Sequence, residues 1–315
     1  ACSPRLELGV LFGELDRAHR VLLDSEGRIL VAGQTTYMPS PLPPPNPPVA
    51  LSTSFVVTRL NADGSSDFVN RAFLASFGGY SIARALALTP SGKIMLGGSS
   101  ANNGTSDSNT ALARFGVDGN LDSGADSDPT VWFGVYQGKH TGEGTDDIVY
   151  GGSDYITDLV ITGDDRIWGA VLNANPDMDN THTGAKGKFN FMLAEFGHGF
   201  GDDGQAPDVP RFTEVPLGPG NDLVTALARQ ADGKLVLVGT ATNTDIRNSD
   251  FGVVRFDANG ALDTAFGSNG ILKIDFLGAS DNAQDVVVQP DGKLIVIGNV
   301  RNGSSWDLGL ARVNP

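Results

Sequence analysis

Five segments of this chain repeat one plan, and a plan repeated at a period of tens of residues constrains a fold more than any local motif. They are RVLLDSEGRILVAG (20–33), ALALTPSGKIMLGG (85–98), DLVITGDDRIWGAV (158–171), ALARQADGKLVLVG (226–239) and DVVVQPDGKLIVIG (285–298). Each reads as an apolar strand, a tight turn, then a second strand ending in Gly. The turn positions Gly27, Gly92, Asp165, Gly233 and Gly292 lie 65, 73, 68 and 59 residues apart. Asp165 departs from Gly, yet Asp tolerates the left-handed conformation better than most residues. Apolar runs of about five residues predict strands in sheets covered on both faces.

A third strand follows in every unit and ends in a charged residue: SFVVTR at Arg59, NTALAR at Arg114, NFMLAE at Glu195, DFGVVR at Arg255 and DLGLAR at Arg312. Turns such as Asp63-Gly64, Asp118-Gly119 and Asn259-Gly260 then lead to a fourth strand. Four strands per unit make a propeller blade. The recurring charge reads as a solvated or locally paired strand end, since function rarely needs one residue in every blade.

The fifth unit stops after its third strand, at Asn314-Pro315. A segment at the other end, Arg5 to Gly13 (RLELGVLFG), resembles Gly270 to Gly278 (GILKIDFLG), the fourth strand of the preceding unit. The predicted fold is therefore all-β: one five-bladed β-propeller over 1–315, with four-stranded blades and the last blade (281–315) completed by residues 5–13. Exchange of strands between termini removes open sheet edges.

Three of these stretches carry a family resemblance: QPDGKLIVIG (289–298), RFDANGALDTAFG (255–267) and RVNP (312–315) resemble the delta-60 repeat, a bacterial β-propeller repeat of about sixty residues. The resemblance is strongest in units four and five and weakest in unit three. It implies a bacterial, exported propeller and no particular activity, because a fold does not define a function.

Composition narrows the partners. With 22 Lys and Arg against 37 Asp and Glu, the net charge of −15 repels phosphate backbones and anionic lipid headgroups, so nucleic acid is not expected. Cys2 is the single cysteine, which leaves no intrachain disulfide and no thiolate metal cluster. Ala1-Cys2-Ser3 resembles the remnant of a lipobox, in which the cysteine is lipidated; an incidental terminal cysteine is the plain alternative. The expected location is accordingly periplasmic, outer-membrane-anchored through a lipid on Cys2, or extracellular.

In a blade meander, the connections between strands two and three, and from strand four to the next blade, share one face. Regular turns read as scaffold, and long irregular connections carry contacts. Three such connections stand out. Residues 34–53 hold a proline-rich stretch with Tyr37 and Met38, 134–153 hold Tyr136, His140 and Tyr150, and 173–186 hold Asp177, Asp179 and His182. Drifted loops tend to be rich in Gly and Ser, whereas rigid proline and aromatic side chains suit contact. The expectation is a non-enzymatic binding or assembly module that meets a protein partner through Tyr37, Met38, Trp132, Tyr136, His140, Tyr150 and His182. The alternative is a lectin or carbohydrate-active enzyme on the same face, with Trp132, Tyr136 or Tyr150 stacked on sugar rings.

Chemistry beyond contact is thinly encoded. Asp177 and Asp179, Asp146-Asp147 and the run 122–128 are oxygen-rich candidates for a structural Ca²⁺, though none completes a calcium-loop pattern. No catalytic residue and no further cofactor is assigned. Five-bladed glycosidases use paired inward carboxylates. Here the inner strands begin with Asp16, Ser81, Asp154, Asp222 and Asp281, a recurrence that fits a loop cap better than a catalyst. Asp158 and Asp285 recur less regularly and form the pair to test. His19, Arg84, Thr157, Thr225 and Gln284 occupy equivalent inner-strand positions and are candidates to line a channel.

Overall fold

A computed structural model describes residues 16–37, 52–65, 67, 72–77, 79–101, 108–122, 130–133, 154–173, 189–197, 210–243 and 248–315. The chain divides into two compact units, 1–133 with 200–206, and 134–199 with 207–315. Among the described residues every regular element is a strand, and every sheet is an antiparallel meander.

The first unit holds two sheets. Sheet one runs β1 (Arg17–Leu23), β2 (Ile29–Tyr37), β3 (Ser52–Leu60) and β4 (Phe73–Ala75); sheet two runs β5 (Tyr80–Leu88), β6 (Ile94–Ala101), β7 (Ser108–Phe115) and β8 (Thr130–Phe133). Leu30, Ala32, Phe55 and Val57 of sheet one pack with Ala83, Leu86, Ile94 and Leu96 of sheet two in one core.

The second unit holds three. Sheet three comprises β9 (Asp154–Ile161), β10 (Ile167–Asn173), β11 (Phe191–Glu195) and β12 (Arg211–Val215). Sheet four comprises β13 (Leu223–Arg229), β14 (Leu235–Thr242), β15 (Ser249–Phe256) and β16 (Ile271–Ile274), and sheet five β17 (Asp281–Val288), β18 (Leu294–Asn302) and β19 (Ser305–Val313). The period of two along a strand, with a core on each side, explains why β14 is buried throughout. Leu235 and Leu237 enter the core shared with sheet three, and Val236 and Val238 the core shared with sheet five.

The repeated turns fold alike. Gly27, Gly92, Asp165, Gly233 and Gly292 all have positive φ, and each donates its N–H to the carbonyl three residues earlier. Asp165 adopts φ 61°, the left-handed value its residue type tolerates.

The glycine expected to end the second strand does not end it. β2, β6, β14 and β18 all run past Gly33, Gly98, Gly239 and Gly298. Opposite each of them the inner strand carries a β-bulge, with register breaks at Ala18/Arg20, Ala83/Ala85, Val224/Ala226 and Ala283/Asp285. The bulge thrusts a carbonyl at the glycine. A Cβ on Gly33, Gly98 or Gly239 would sit 1.9 Å from the carbonyl oxygen of Arg17, Ile82 or Leu223. Sheet three has the same break, with Val171 in the glycine's place.

Candidate functional site

The polar inner-strand residues singled out in the sequence are the extra residues of these bulges. His19, Arg84, Thr157, Thr225 and Gln284 each fall at a register break. A bulge re-aims its side chain, and four of the five turn onto their own sheet. Arg84 donates to Ser99 Oγ at 2.9 Å, Thr157 Oγ1 to the Ala170 carbonyl at 3.3 Å, and His19 Nε2 lies 3.3 Å from Gln34 Oε1. Thr225 Oγ1 bonds the Val238 carbonyl and also the Ala283 carbonyl of the next sheet, at 3.1 and 3.0 Å.

The recurring acid at the start of the inner strand is a clamp. Asp222, fully buried, accepts the Leu217 N–H at 2.8 Å and the Thr242 N–H at 2.9 Å. It thereby ties the entering chain to the far end of β14, and satisfies two donors that would otherwise be orphaned. Asp281 repeats the first bond with the Phe276 N–H at 2.8 Å, and Asp16 accepts from Thr35 Oγ1 at 2.6 Å. Ser81 keeps the geometry with a hydroxyl, 2.9 Å from Ser100 Oγ. Burial pushes the carboxyls of Asp222 and Asp281 above the usual range, against the opposing pull of their N–H donors.

Asp158 and Asp285, the less regular pair singled out for testing, sit at the bulges and bond backbone. Asp158 accepts the N–H of Leu159 at 3.0 Å with one oxygen and that of Leu227, in the next sheet, at 3.0 Å with the other. Asp285 accepts the Val286 N–H at 2.8 Å.

At the opposite end of sheets one to four the recurring third-strand charge is buried and paired. Arg59, Arg114 and Arg255 each meet the acid eight residues onward, Asp67, Asp122 and Asp263, at 2.5, 3.0 and 2.9 Å. The same acids donate their N–H to the arginine carbonyl, so the chain folds back on itself after the turn. Lys93 and Lys234 add a second cation, 2.9 and 3.2 Å from Asp122 and Asp263. Burial tends to raise Asp263, but Lys234, the Ala265 N–H and Arg255 hold it below its usual value. Sheet three inverts the charges: Glu195 stands on the third strand, paired with Arg211 and 3.8 Å from Arg166. The spacing R-x₇-D was present in the sequence in units one, two and four, and its reversal as Glu195 with Arg211 hid the pattern.

Of the predicted contact residues, Tyr37 closes β2, its backbone paired with Ser52, and Trp132 lies in β8 opposite Ala111. The strand pairing thus shortens the first predicted connection at both ends. Met38, Tyr136, His140, Tyr150, His182, Asp177, Asp179 and Cys2 lie outside the described residues, as does the segment 5–13. Asp122, first of the acidic run, is held by Arg114 and Lys93. Among the described residues no group of three or more His, Cys, Asp or Glu is placed to hold a metal ion, and no helix is long and apolar enough to cross a membrane.

Repeated antiparallel meanders that share a turn, a bulge and a paired charge agree with a β-propeller family. Residues 89–124, 230–266 and 289–315 match a family described as a domain of unknown function (DUF5122) β-propeller. Solved structures agree on the fold. A protein of unknown function from Dyadobacter fermentans is similar at TM-score 0.52 and 13% identity, over 97% of this chain and 81% of that one. Hydrazine synthase from Kuenenia stuttgartiensis is similar at TM-score 0.52 and 13% identity, over 96% of this chain and 64% of that one. A polysaccharide lyase of family PL25, an ulvan lyase, is similar at TM-score 0.52 and 11% identity, over 93% of this chain and 66% of that one. The chain therefore spans under two thirds of the length of the last two. A comparison with curated proteins finds no match.

Proposed function

We propose that this β-propeller is an exported bacterial binding or assembly module of the delta-60 repeat type, which meets a protein partner through the connections 34–53, 134–153 and 173–186. One observation carries the reading: three of the connections between strands span many residues where their counterparts in sheets four and five span few. The chain leaves β2 at Tyr37 and re-enters at Ser52, leaves β8 at Phe133 and re-enters at Asp154, and leaves β10 at Asn173 and re-enters at Phe191. In sheets four and five the corresponding steps run only from Thr242 to Ser249 and from Asn302 to Ser305. The use of Asp158, Asp222 and Asp281 as backbone acceptors supports a scaffold role for the inner strands rather than acid–base chemistry.

The five sheets close, in this proposal, into a ring of five blades. The two uncovered apolar faces support closure. Val21 of β1 is 67% exposed, although its repeat counterparts Leu86, Leu159, Leu227 and Val286 are all buried. On β19, Leu308 and Leu310 are 79% and 56% exposed, although their counterparts Phe251 and Val253 are buried.

The proposal is tested by co-purification from the native source, followed by replacement of residues 134–153 with a two-residue turn. Loss of the partner with unchanged melting is expected, and retained binding refutes contact through this face. A glycan array separates the alternative, in which Trp132, Tyr136 and Tyr150 stack on sugars. Mass spectrometry of the native protein tests the anchor: with only Ser3 and Pro4 between Cys2 and the closing segment, a lipid would hold the propeller within about 10 Å of a bilayer, and an unmodified Cys2 removes it.

A further inference from the structure

Among the described residues the chain holds three Asn-Gly steps, Asn259-Gly260, Asn269-Gly270 and Asn302-Gly303. In such a step the glycine nitrogen can attack the side-chain amide before it, since no Cβ shields the approach. All three lie in the second unit, and the fold treats them differently.

At the first two steps the nucleophile is locked away. Gly260 is buried and donates its N–H to the Asp257 carbonyl at 3.1 Å, and Gly270 is buried and donates to the Phe266 carbonyl at 2.7 Å. Both are tightly packed: a Cβ on Gly260 would stand 2.6 Å from the Trp168 ring, and one on Gly270 2.6 Å from the Leu262 side chain. Gly303 differs on every count. It opens the two-residue turn between β18 and β19, where Asn302 pairs with Ser305. Residues 302–305 are all exposed, and nothing lies within 4 Å of where a Cβ on Gly303 would stand. Among the described residues no backbone carbonyl takes its N–H.

The neighbouring bonds favour the same nitrogen. The peptide group that carries the Gly303 N–H ends in the Asn302 carbonyl, and this oxygen accepts the Ser305 Oγ–H at 3.0 Å. When the nitrogen loses its proton, charge spreads onto that oxygen, where the hydroxyl stabilises it. We infer that Asn302 is a site of spontaneous deamidation, at which the exposed Gly303 nitrogen attacks the side-chain amide. Solvent base takes the Gly303 proton. The nitrogen bonds to Asn302 Cγ, the Cγ–Nδ2 bond breaks, and Nδ2 takes up a proton and leaves as ammonia. Water then opens the succinimide at either carbonyl, to aspartate or to isoaspartate, whose main chain runs through Cγ.

Either product changes the hairpin. Asn302 Nδ2 donates to Asp307 Oδ2 at 2.9 Å, and after reaction a carboxylate faces Asp307, so a bond becomes a repulsion. Isoaspartate also lengthens the main chain beside the pair Arg301 and Trp306, whose guanidinium stands 5.4 Å over the indole ring. The modification therefore loosens the end of the β18–β19 pairing and adds negative charge there.

Peptide mapping of the unaltered full chain tests the site. The three steps are followed by mass spectrometry, with enzymatic detection of isoaspartate, during incubation at mildly alkaline pH, once folded and once in urea. Gly260 and Gly270 must each first release an N–H bond, which alone slows reaction about 2–10-fold, and must also bring a buried backbone to solvent. In the folded chain Asn302 is therefore expected to react about tenfold or more faster than Asn259 and Asn269. In urea the three rates should converge, because the reacting dipeptide is the same. A folded-chain rate at Asn302 no greater than at either other step overturns the inference. So does a gap that urea leaves unchanged, since the difference would then come from adjoining residues and not from the fold. No partner takes part, so the outcome is independent of the binding proposal.

Discussion

Asp222 is the most demanding place to test the claim that the recurring acid is structural. Its two oxygens accept two backbone N–H groups, at 2.8 and 2.9 Å, in a site without exposed surface. Replacement by Asn keeps one acceptor and turns an amide N–H toward a backbone donor. One buried donor is orphaned, at a cost of about 1–3 kcal/mol. For a domain of this size, roughly 2–4 °C accompany each kcal/mol, so Asp222→Asn is expected to lower Tm by about 2–12 °C. The pH dependence has a defined sign. Burial raises the folded-state pKa of Asp222 above that of an ordinary carboxylate, so its contribution is fully present below the unfolded pKa and declines as pH rises through the folded one. The stability gap between the parent and Asp222→Asn should therefore be wider at pH 3.5 than at pH 7. Urea unfolding across this range measures the gap, with exposed Asp232→Asn as a reference expected to stay within about 0.5 kcal/mol. Equal stability of Asp222→Asn and the parent at all pH values would refute the clamp, and a gap that widens toward neutral pH would refute the assigned cause of the shift.

Two further perturbations use the repeat as its own control. Glu195→Arg places a third cation beside Arg166 and Arg211 in a buried position and should cost about 3–5 kcal/mol; adding Arg211→Asp recreates the pair of the other blades and should recover most of it in denaturant unfolding. Gly98→Ala drives a Cβ to 1.9 Å from the Ile82 carbonyl oxygen and is expected to cost more than about 3 kcal/mol, whereas Gly163→Ala, with nothing within 4 Å, should be neutral or stabilising by about 0.4–1 kcal/mol. Thermal unfolding of the two glycine variants side by side checks the contrast, and equal losses would remove the close-approach explanation.

Much of the blade was legible in the sequence because its signals are local. The turn residues announce themselves by backbone conformation, as Gly27 and even Asp165 do, and strand burial shows as unbroken apolar runs. The glycine at the end of the motif was misplaced for a physical reason: a β-bulge lies in the partner strand, and nothing near Gly98 reveals that the Ile82 carbonyl is pushed against it. The role of Asp158 was hidden likewise, since its second partner, the Leu227 N–H, lies 69 residues away.

By itself the sequence determined the number of units, the strand order within each and the positions of the tight turns, all of which depend on residues a few places apart. Only the tertiary structure decided what the recurring polar residues do. Whether a carboxylate is a catalyst, a cap or one half of an ion pair depends on which donors it meets once buried, and those donors come from strands distant in the chain. Asp222, Asp158 and Asp263 are alike in the sequence; their neighbours make them a clamp between strands, a tie between blades and the counterion of a buried arginine.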